Sequence, residues 1–361
     1  MTGDGTVGPL LGEVGERRLI GDVLKARYGG VPAFGDDCAL LPADLQAGFE
    51  IVATTDPCPE PLVASLGWDD YYFYGWLLGV INFSDLAAAG ARPLGLVVSY
   101  LLPEEMRLED FKRLMDGVDD CCAAHGSHVA GGNIGDGRWL QLTGTAIGMC
   151  QRGRRGSRRG ARAGDALLYI GAPGYLWSAA LLKSDRARLD PADARLVYDR
   201  ACRPIAKLAA AQRLADAGIV HAAIDISDGL YPSLEALCSA SSVGAILDPE
   251  CVTLEPLPAE VCRQAAVDTF AMAQLWGDWN LLVAVGKEDV GAAKEALSEL
   301  DVPCQEIGRF VAGSKSYLKR GGKEVGWHGV DAERFTGSSW SRSKLSDYLD
   351  QLAGPRSQGA I

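Results

Sequence analysis

Histidine is scarce in this chain: His125, His128, His221 and His328 are the only four among 361 residues, so no histidine general base is signalled. Long hydrophobic runs are lacking as well, the longest falling well short of the ~20 residues a membrane helix needs. The amino terminus has no basic stretch followed by an apolar one, and a cytoplasmic protein with no membrane partner is expected. Positive charge is in deficit, with 35 Lys and Arg against 47 Asp and Glu and a net charge of −12. That balance argues against the phosphate-tracking surface a nucleic-acid partner would require. The ten cysteines, two of them the adjacent Cys121 and Cys122, never take the paired short spacing of a zinc site and read as reduced, mostly buried thiols. No Gly-x-x-x-x-Gly-Lys-Ser/Thr string occurs, and the glycine loop and His-Arg-Asp signature of protein kinases are missing too.

What is present is a chain of ordinary hydrophobic content, 48%, and long enough for about two domains. Its rhythm is α/β. The periodicity predicts a short helix over Leu19–Tyr28, strands at Ala39–Leu41 and Ile51–Thr54, and a helix over Tyr71–Ala89 that is apolar on most faces and stopped by Gly90. A strand at Leu94–Leu102, an amphipathic helix over Leu108–Ala124, a glycine turn at Gly131-Gly132 and a strand at Leu140–Met149 follow. The basic run Arg152–Arg162, which includes Arg154, Arg155, Arg158 and Arg159, reads as a solvated linker. A second run of strand, glycine turn, helix and strand starts at Asp165–Ile170 and extends to about Phe310. The expected division is 1–155, 156–335 and a C-terminal tail at 336–361; from Lys315 onward no clear period is visible.

Aspartate gathers at four places beside a glycine turn or a helix start: Gly35-Asp36-Asp37, Thr54-Thr55-Asp56, Asn82-Phe83-Ser84-Asp85 and Asp225-Ile226-Ser227-Asp228-Gly229. Taken singly, Ser-Asp is a helix cap and Asp-Gly a turn. Together, at strand ends where α/β proteins place ligands, they offer the hard oxygen donors that Mg²⁺ shares with substrate phosphates. Phosphoryl transfer asks a protein mainly for positioning and charge neutralisation, which such a cluster supplies.

In their order, Gly35-Asp36-Asp37-Cys38-Ala39-Leu40-Leu41, Thr55-Asp56, Asn82 to Ala91 and Asp225 to Leu230 resemble the thiamine-monophosphate kinase family, as do Arg159 to Asp165, Gly171-Ala172-Pro173-Gly174 and Arg203-Pro204, over about residues 12–312. The resemblance implies the two-domain α/β fold, α+β in type, of aminoimidazole ribonucleotide synthetase-like ATP enzymes. It implies a homodimer formed through the sheet of the N-terminal domain, and transfer from ATP, with Mg²⁺, to a small-molecule acceptor. It makes Asp36, Asp37, Thr55, Asp56, Asp85 and Asp228 magnesium ligands, with Asp37, Asp85 and Asp228 the foremost catalytic candidates. Gly35, Gly131, Gly132, Asn133, Arg159 and Ser227 fall at the nucleotide, and Trp276, Asp278, Trp279 and Asn280 at the acceptor.

Three departures stand out. Asn133 replaces the aspartate of the family's Gly-Gly-Asp-Thr, and Trp276-Gly277-Asp278-Trp279-Asn280 replaces Gly-Gly-Glu-Asp-Tyr-Glu. The aromatic stretch Pro57 to Trp76 lacks the family's Val-His-Phe, and Leu77 stands near the place of its lysine. Three readings follow: a thiamine-monophosphate kinase, a paralogue using the ATP site on another metabolite as a kinase or as a carbonyl- or carboxyl-activating enzyme, and a non-catalytic nucleotide binder. Cys38 and Cys58 read as packing residues rather than nucleophiles.

Overall fold

The computed structural model describes residues 18–30, 35–41 and 48–327, together with Leu349 and Leu352. A π-helical turn at Leu19–Leu24 leads into α1 (Lys25–Tyr28). The first layer of structure comprises β1 (Ala39–Leu41), β2 (Phe49–Pro57), α2 (Leu62–Ser65), α3 (Tyr71–Ala88), β3 (Arg92–Leu102), α4 (Leu108–Ala124), β4 (Val129–Asp136) and β5 (Gln141–Gln151). The second comprises β6 (Ala166–Ile170), α5 (Tyr175–Lys183), α6 (Pro191–Cys202), α7 (Leu208–Ala217), β7 (Val220–Asp225), α8 (Leu230–Ser241) and β8 (Gly244–Leu247). It continues with α9 (Pro256–Ala265), α10 (Thr269–Ala273), β9 (Leu281–Val285), α11 (Val290–Leu297), β10 (Cys304–Val311), β11 (Ser316–Arg320) and β12 (Lys323–Gly326). Among the described residues no helix is long and apolar enough to cross a membrane.

The strands form two sheets, a five-stranded one in the order β1-β2-β5-β3-β4 and a seven-stranded one in the order β12-β11-β8-β10-β6-β9-β7. In the first sheet only β3 and β4 run parallel; the other pairs are antiparallel. Alternate residues Val52, Leu96, Val98, Leu142 and Ala146 are buried on one face beneath α3 and α4. Those two helices cross in near backbone contact, since a Cβ on Gly117 would lie 1.9 Å from the Tyr72 carbonyl oxygen. The opposite face, with Ile51, Ala53, Val97, Thr145 and Ile147, is only half-buried.

Helix α3 lies between the sheets, which explains why its sequence is apolar on most faces. One core joins Phe83 and Leu86 to Val98 of the first sheet and to Leu281 and Val283 of the second. Polar ties cross the same seam: Trp76 Nε1 donates to Pro204 O at 2.8 Å, and the Ala206 N–H donates to His125 Nε2 at 3.0 Å. Strands β6 and β9, both interior to the second sheet, are buried at every residue.

Three expectations need correction. Gly131-Gly132 is not a turn but the middle of β4, where the absence of a side chain admits close parallel pairing; a Cβ on Gly132 would lie 2.1 Å from Val98 O. The stretch beyond Lys315 contains the β11–β12 hairpin, with β12 exposed at every residue and therefore without an apolar period. The basic run is a solvated linker only in part: Arg152, Arg154, Arg159 and Arg162 are exposed, whereas Arg155 and Arg158 are drawn into the site. The tail 336–361 lies outside the described residues except for Leu349 and Leu352. Of the ten thiols, seven are buried and none is in a disulfide, as read from their spacing.

Candidate functional site

The site forms where β2, the last turns of α3, the end of β7 and the Gly35–Cys38 turn meet. Along β2 successive side chains point to opposite faces, so Thr54 and Asp56 share one side and Thr55 the other. Thr54 Oγ1 donates to Asp85 Oδ2 and, at 3.4 Å, to Asp56 Oδ2. Thr55 Oγ1 turns to the open face of the sheet, donating to Gly144 O at 2.9 Å and meeting Thr145 Oγ1 at 2.9 Å. The hydroxyl beside the carboxylates is thus that of Thr54, which alternation along the strand indicates and motif matching missed. We predict that Thr54→Val lowers the kcat/KM for ATP about tenfold and Thr55→Val less than about twofold, the difference being one hydrogen bond to a carboxylate.

Carboxylate oxygens of Asp37, Asp85 and Asp225 all lie within 4.8 Å of one another. Ser84 Oγ donates to Asp225 Oδ2 at 2.8 Å and Cys38 Sγ to Asp85 O at 3.3 Å. Burial, reinforced by Asp225, Asp56 and Asp37, pushes the Asp85 carboxyl well above its ordinary range. Burial and the charge of Asp37 push Asp225 up to about 7. Asp37 is raised by burial as well, with Arg158 opposing the rise. Asp225 belongs to the Asp225-to-Gly229 motif but was not singled out within it; as the last residue of β7 it is only 2% exposed and completes the cluster.

The basic run supplies the counter-charge. Arg158 pairs through its guanidinium with Asp37, and Arg155 with Asp36 at 3.1 Å. Asp36 also accepts from Ser157 Oγ at 2.9 Å and from the Arg158 N–H at 3.1 Å. Burial works against the charge of Arg158, yet Asp37 holds its pKa above the ordinary arginine value. Asp36 therefore ties the basic segment between β5 and β6, a strap from one sheet to the other, to the Gly35 turn, while Asp37 faces the cluster. Arg159 is exposed, with its N–H donating to Ser157 Oγ at 3.0 Å, and Gly35 has φ +83.

A cavity of about 310 Å³ opens beside the carboxylates. Asp56, Asp85, Asp225, Ser227 and Asp228 line one end; Pro57 to Val63, Phe73, Leu77, Leu176, Trp276 and Trp279 line the rest. A small apolar chamber ending in a few convergent polar groups is the usual form of a small-molecule site. Asp278 and Asn280 are not on its wall: Asp278 accepts from the Gly174 N–H at 2.6 Å, and Asn280 Nδ2 donates to Tyr169 OH at 3.0 Å. Gly131, Gly132 and Asn133 are exposed on the edge strand β4, with β5 and β3 between them and β2. Within one chain they do not join the cluster.

The oxygen-only donor set suits a hard divalent cation, and three mutually repelling carboxylates, Asp225 buried and Asp37 and Asp85 half-buried, gain from one. The residues fit Mg²⁺.

Comparison with known proteins gives the context. Residues 35–150 match the model of the AIR synthase related protein, N-terminal domain, and residues 162–321 that of its C-terminal domain. The thiamine-monophosphate kinase of Methanospirillum hungatei is 30% identical over 282 residues, which cover 78% of this chain and 87% of that protein. That of Escherichia coli K12 is 30% identical over 305 residues, 82% of this chain and 90% of its own. The solved structure of AaThiL complexed with AMPPCP and TMP matches with a TM-score of 0.74 at 25% identity, covering 89% of this chain and 97% of that one. With both domain models matched and relatives at this identity covered almost end to end, the chain belongs to the AIR synthase related family and, within it, to the family of the thiamine-monophosphate kinases.

Proposed function

We propose that this chain is a Mg²⁺-dependent phosphotransferase that passes the terminal phosphoryl group of ATP to a small phosphorylated or polar acceptor, as a cytoplasmic homodimer. The observation that carries this is the convergence of Asp37, Asp85 and Asp225 at one end of a largely apolar cavity. Asp37, Asp85 and Asp225 would hold Mg²⁺, with Asp56 and Asp228 alongside. Bound there, Mg²⁺ would neutralise phosphate charge and orient the transferred group.

The residues of the chain do the rest. Thr54 and Ser84 fix the rotamers of Asp85 and Asp225 by donating to them, so that their free lone pairs converge. Arg158 balances Asp37 while remaining close enough to feel Asp85 and Asp225, which supports a guanidinium role beside phosphates held at the cluster. Phe73, Trp276 and Trp279 exclude water around the acceptor, strengthening every charge interaction at the aspartate end. The half-buried face of the first sheet and its exposed edge β4 support the homodimer, since a second copy would cover both.

The relatives' names and the ligand TMP of AaThiL favour thiamine monophosphate as acceptor. A second reading, the paralogue acting on another metabolite, draws on the cavity wall: its charged lining residues are all acidic, and Leu77 and two tryptophans shape it. Incubation with Mg²⁺, ATP and thiamine monophosphate should give ADP and thiamine diphosphate in equal amounts. Absence of both products at high protein concentration would exclude the first reading.

A further inference from the structure

One short segment, Gln274 to Asn280, touches both ends of the cavity. It is tied to the loop that carries the carboxylates: the Ile226 N–H donates to Asn280 O at 2.8 Å and the Leu230 N–H to Gln274 O at 3.0 Å. Between these ties Trp276 and Trp279 line the cavity. Trp279 has φ +49, a left-handed backbone conformation that a bulky side chain seldom adopts. Gly277, at φ +111, sits so close to α5 that a Cβ would lie 2.1 Å from Leu176 Cδ2. Such strain persists only where the surroundings over-determine it, and it gathers at ligand sites.

The over-determination comes from behind the wall. The carboxylate of Asp278 turns away from the cavity and accepts from the Gly174 N–H at 2.6 Å and the Leu176 N–H at 3.2 Å, bolting the segment to the start of α5. Trp276 O accepts from Trp177 Nε1 at 2.7 Å. Lys207 Nζ donates to Ile205 O at 2.6 Å and to Asp278 O at 3.4 Å. Burial moves Asp278 up to about 6 and Lys207 down to about 8, as befits a polar cluster shielded from water.

We propose that Asp278 and Lys207 are positioning residues for the acceptor, pinning the Trp276 and Trp279 wall and, through the ties to Ile226 and Leu230, fixing its register against the Asp225 loop. This inference rests on the phosphotransferase reading above. The two residues touch neither nucleotide nor acceptor, so their loss separates the two affinities.

The test is titration of thiamine monophosphate into wild-type and variant protein loaded with Mg²⁺ and AMPPCP, followed by calorimetry, with AMPPCP affinity measured in parallel. Asp278→Ala and Lys207→Met are expected to weaken thiamine monophosphate about tenfold while AMPPCP changes less than about twofold, because the wall and not the nucleotide end is displaced. Asp278→Asn keeps an oxygen for the Gly174 N–H, so it should fold even if Asp278→Ala fails to, and lose less. Equal weakening of both ligands, or unchanged thiamine monophosphate affinity in Lys207→Met and Asp278→Asn, would overturn the positioning role and leave the phosphotransferase reading intact. Failure of the wild-type protein to bind thiamine monophosphate would overturn thiamine monophosphate as the acceptor and, with it, this positioning role.

Discussion

Asp85→Asn is expected to reduce Mg²⁺-dependent turnover of ATP by about 10²–10³, the loss that follows removal of one pre-organised electrostatic group. The same substitution should stabilise the metal-free protein. Asp85 is desolvated and lies among Asp225, Asp56 and Asp37, so its ionised form is disfavoured in the folded state. Each unit by which a carboxyl is raised costs about 1.4 kcal/mol of stability at a pH where it is ionised, and a neutral amide avoids that cost. Thermal unfolding without Mg²⁺ should therefore show a higher Tm for the variant, while turnover falls. Opposite signs for stability and activity mark a residue kept for function against its folding interest. A variant that lost both would instead identify Asp85 as a structural group.

Arg158→Met should act in the other direction on the metal-free protein. It strips Asp37, whose side chain is 4% exposed, of the guanidinium that offsets its charge. Breaking a fully buried pair costs about 3–5 kcal/mol; because 30% of the Arg158 side chain remains accessible, about 2 kcal/mol is expected here. The deficit should be recoverable. A cation bound at Asp37, Asp85 and Asp225 stabilises the folded state by mass action, about 2.7 kcal/mol at a hundred times its Kd. Because a bound cation would take over the charge balance that Arg158 gives Asp37, Mg²⁺ alone should raise the Tm of Arg158→Met by more than it raises that of the wild type, measured by calorimetric unfolding with and without the ion. A deficit that persisted undiminished at saturation would show that Arg158 serves the fold and not the carboxylate cluster.

How far the sequence alone reached follows from what kind of information each residue carries. Helices α3 and α4 were legible because local periodicity and a following glycine set them, and they occupy Tyr71–Ala88 and Leu108–Ala124. The aspartate motifs drew attention to the right loops, yet the choice within each motif depended on direction. Thr54 rather than Thr55 faces Asp85 because β2 alternates, and Asp225 joins Asp37 and Asp85 because β7 ends on it. The pairing of Arg158 with Asp37 spans 121 residues of sequence and is created only when the strap crosses between the sheets. A glycine pair such as Gly131-Gly132 has two local readings, turn or tightly paired strand, and the neighbouring strand β3 decides between them. Asp278 was placed at the acceptor by its motif, whereas its carboxylate is consumed by the backbone of α5.

The central claim is that Asp37, Asp85 and Asp225 together form the divalent-cation site of a nucleotide-using enzyme. Mn²⁺, with its paramagnetic signal, can replace Mg²⁺ and be counted directly. Electron paramagnetic resonance titration of the wild-type protein in the presence of AMPPCP should show tightly held Mn²⁺, weakened about tenfold or more in Asp85→Asn and in Asp225→Asn. Mn²⁺ binding of unchanged strength and stoichiometry in both variants would contradict the account.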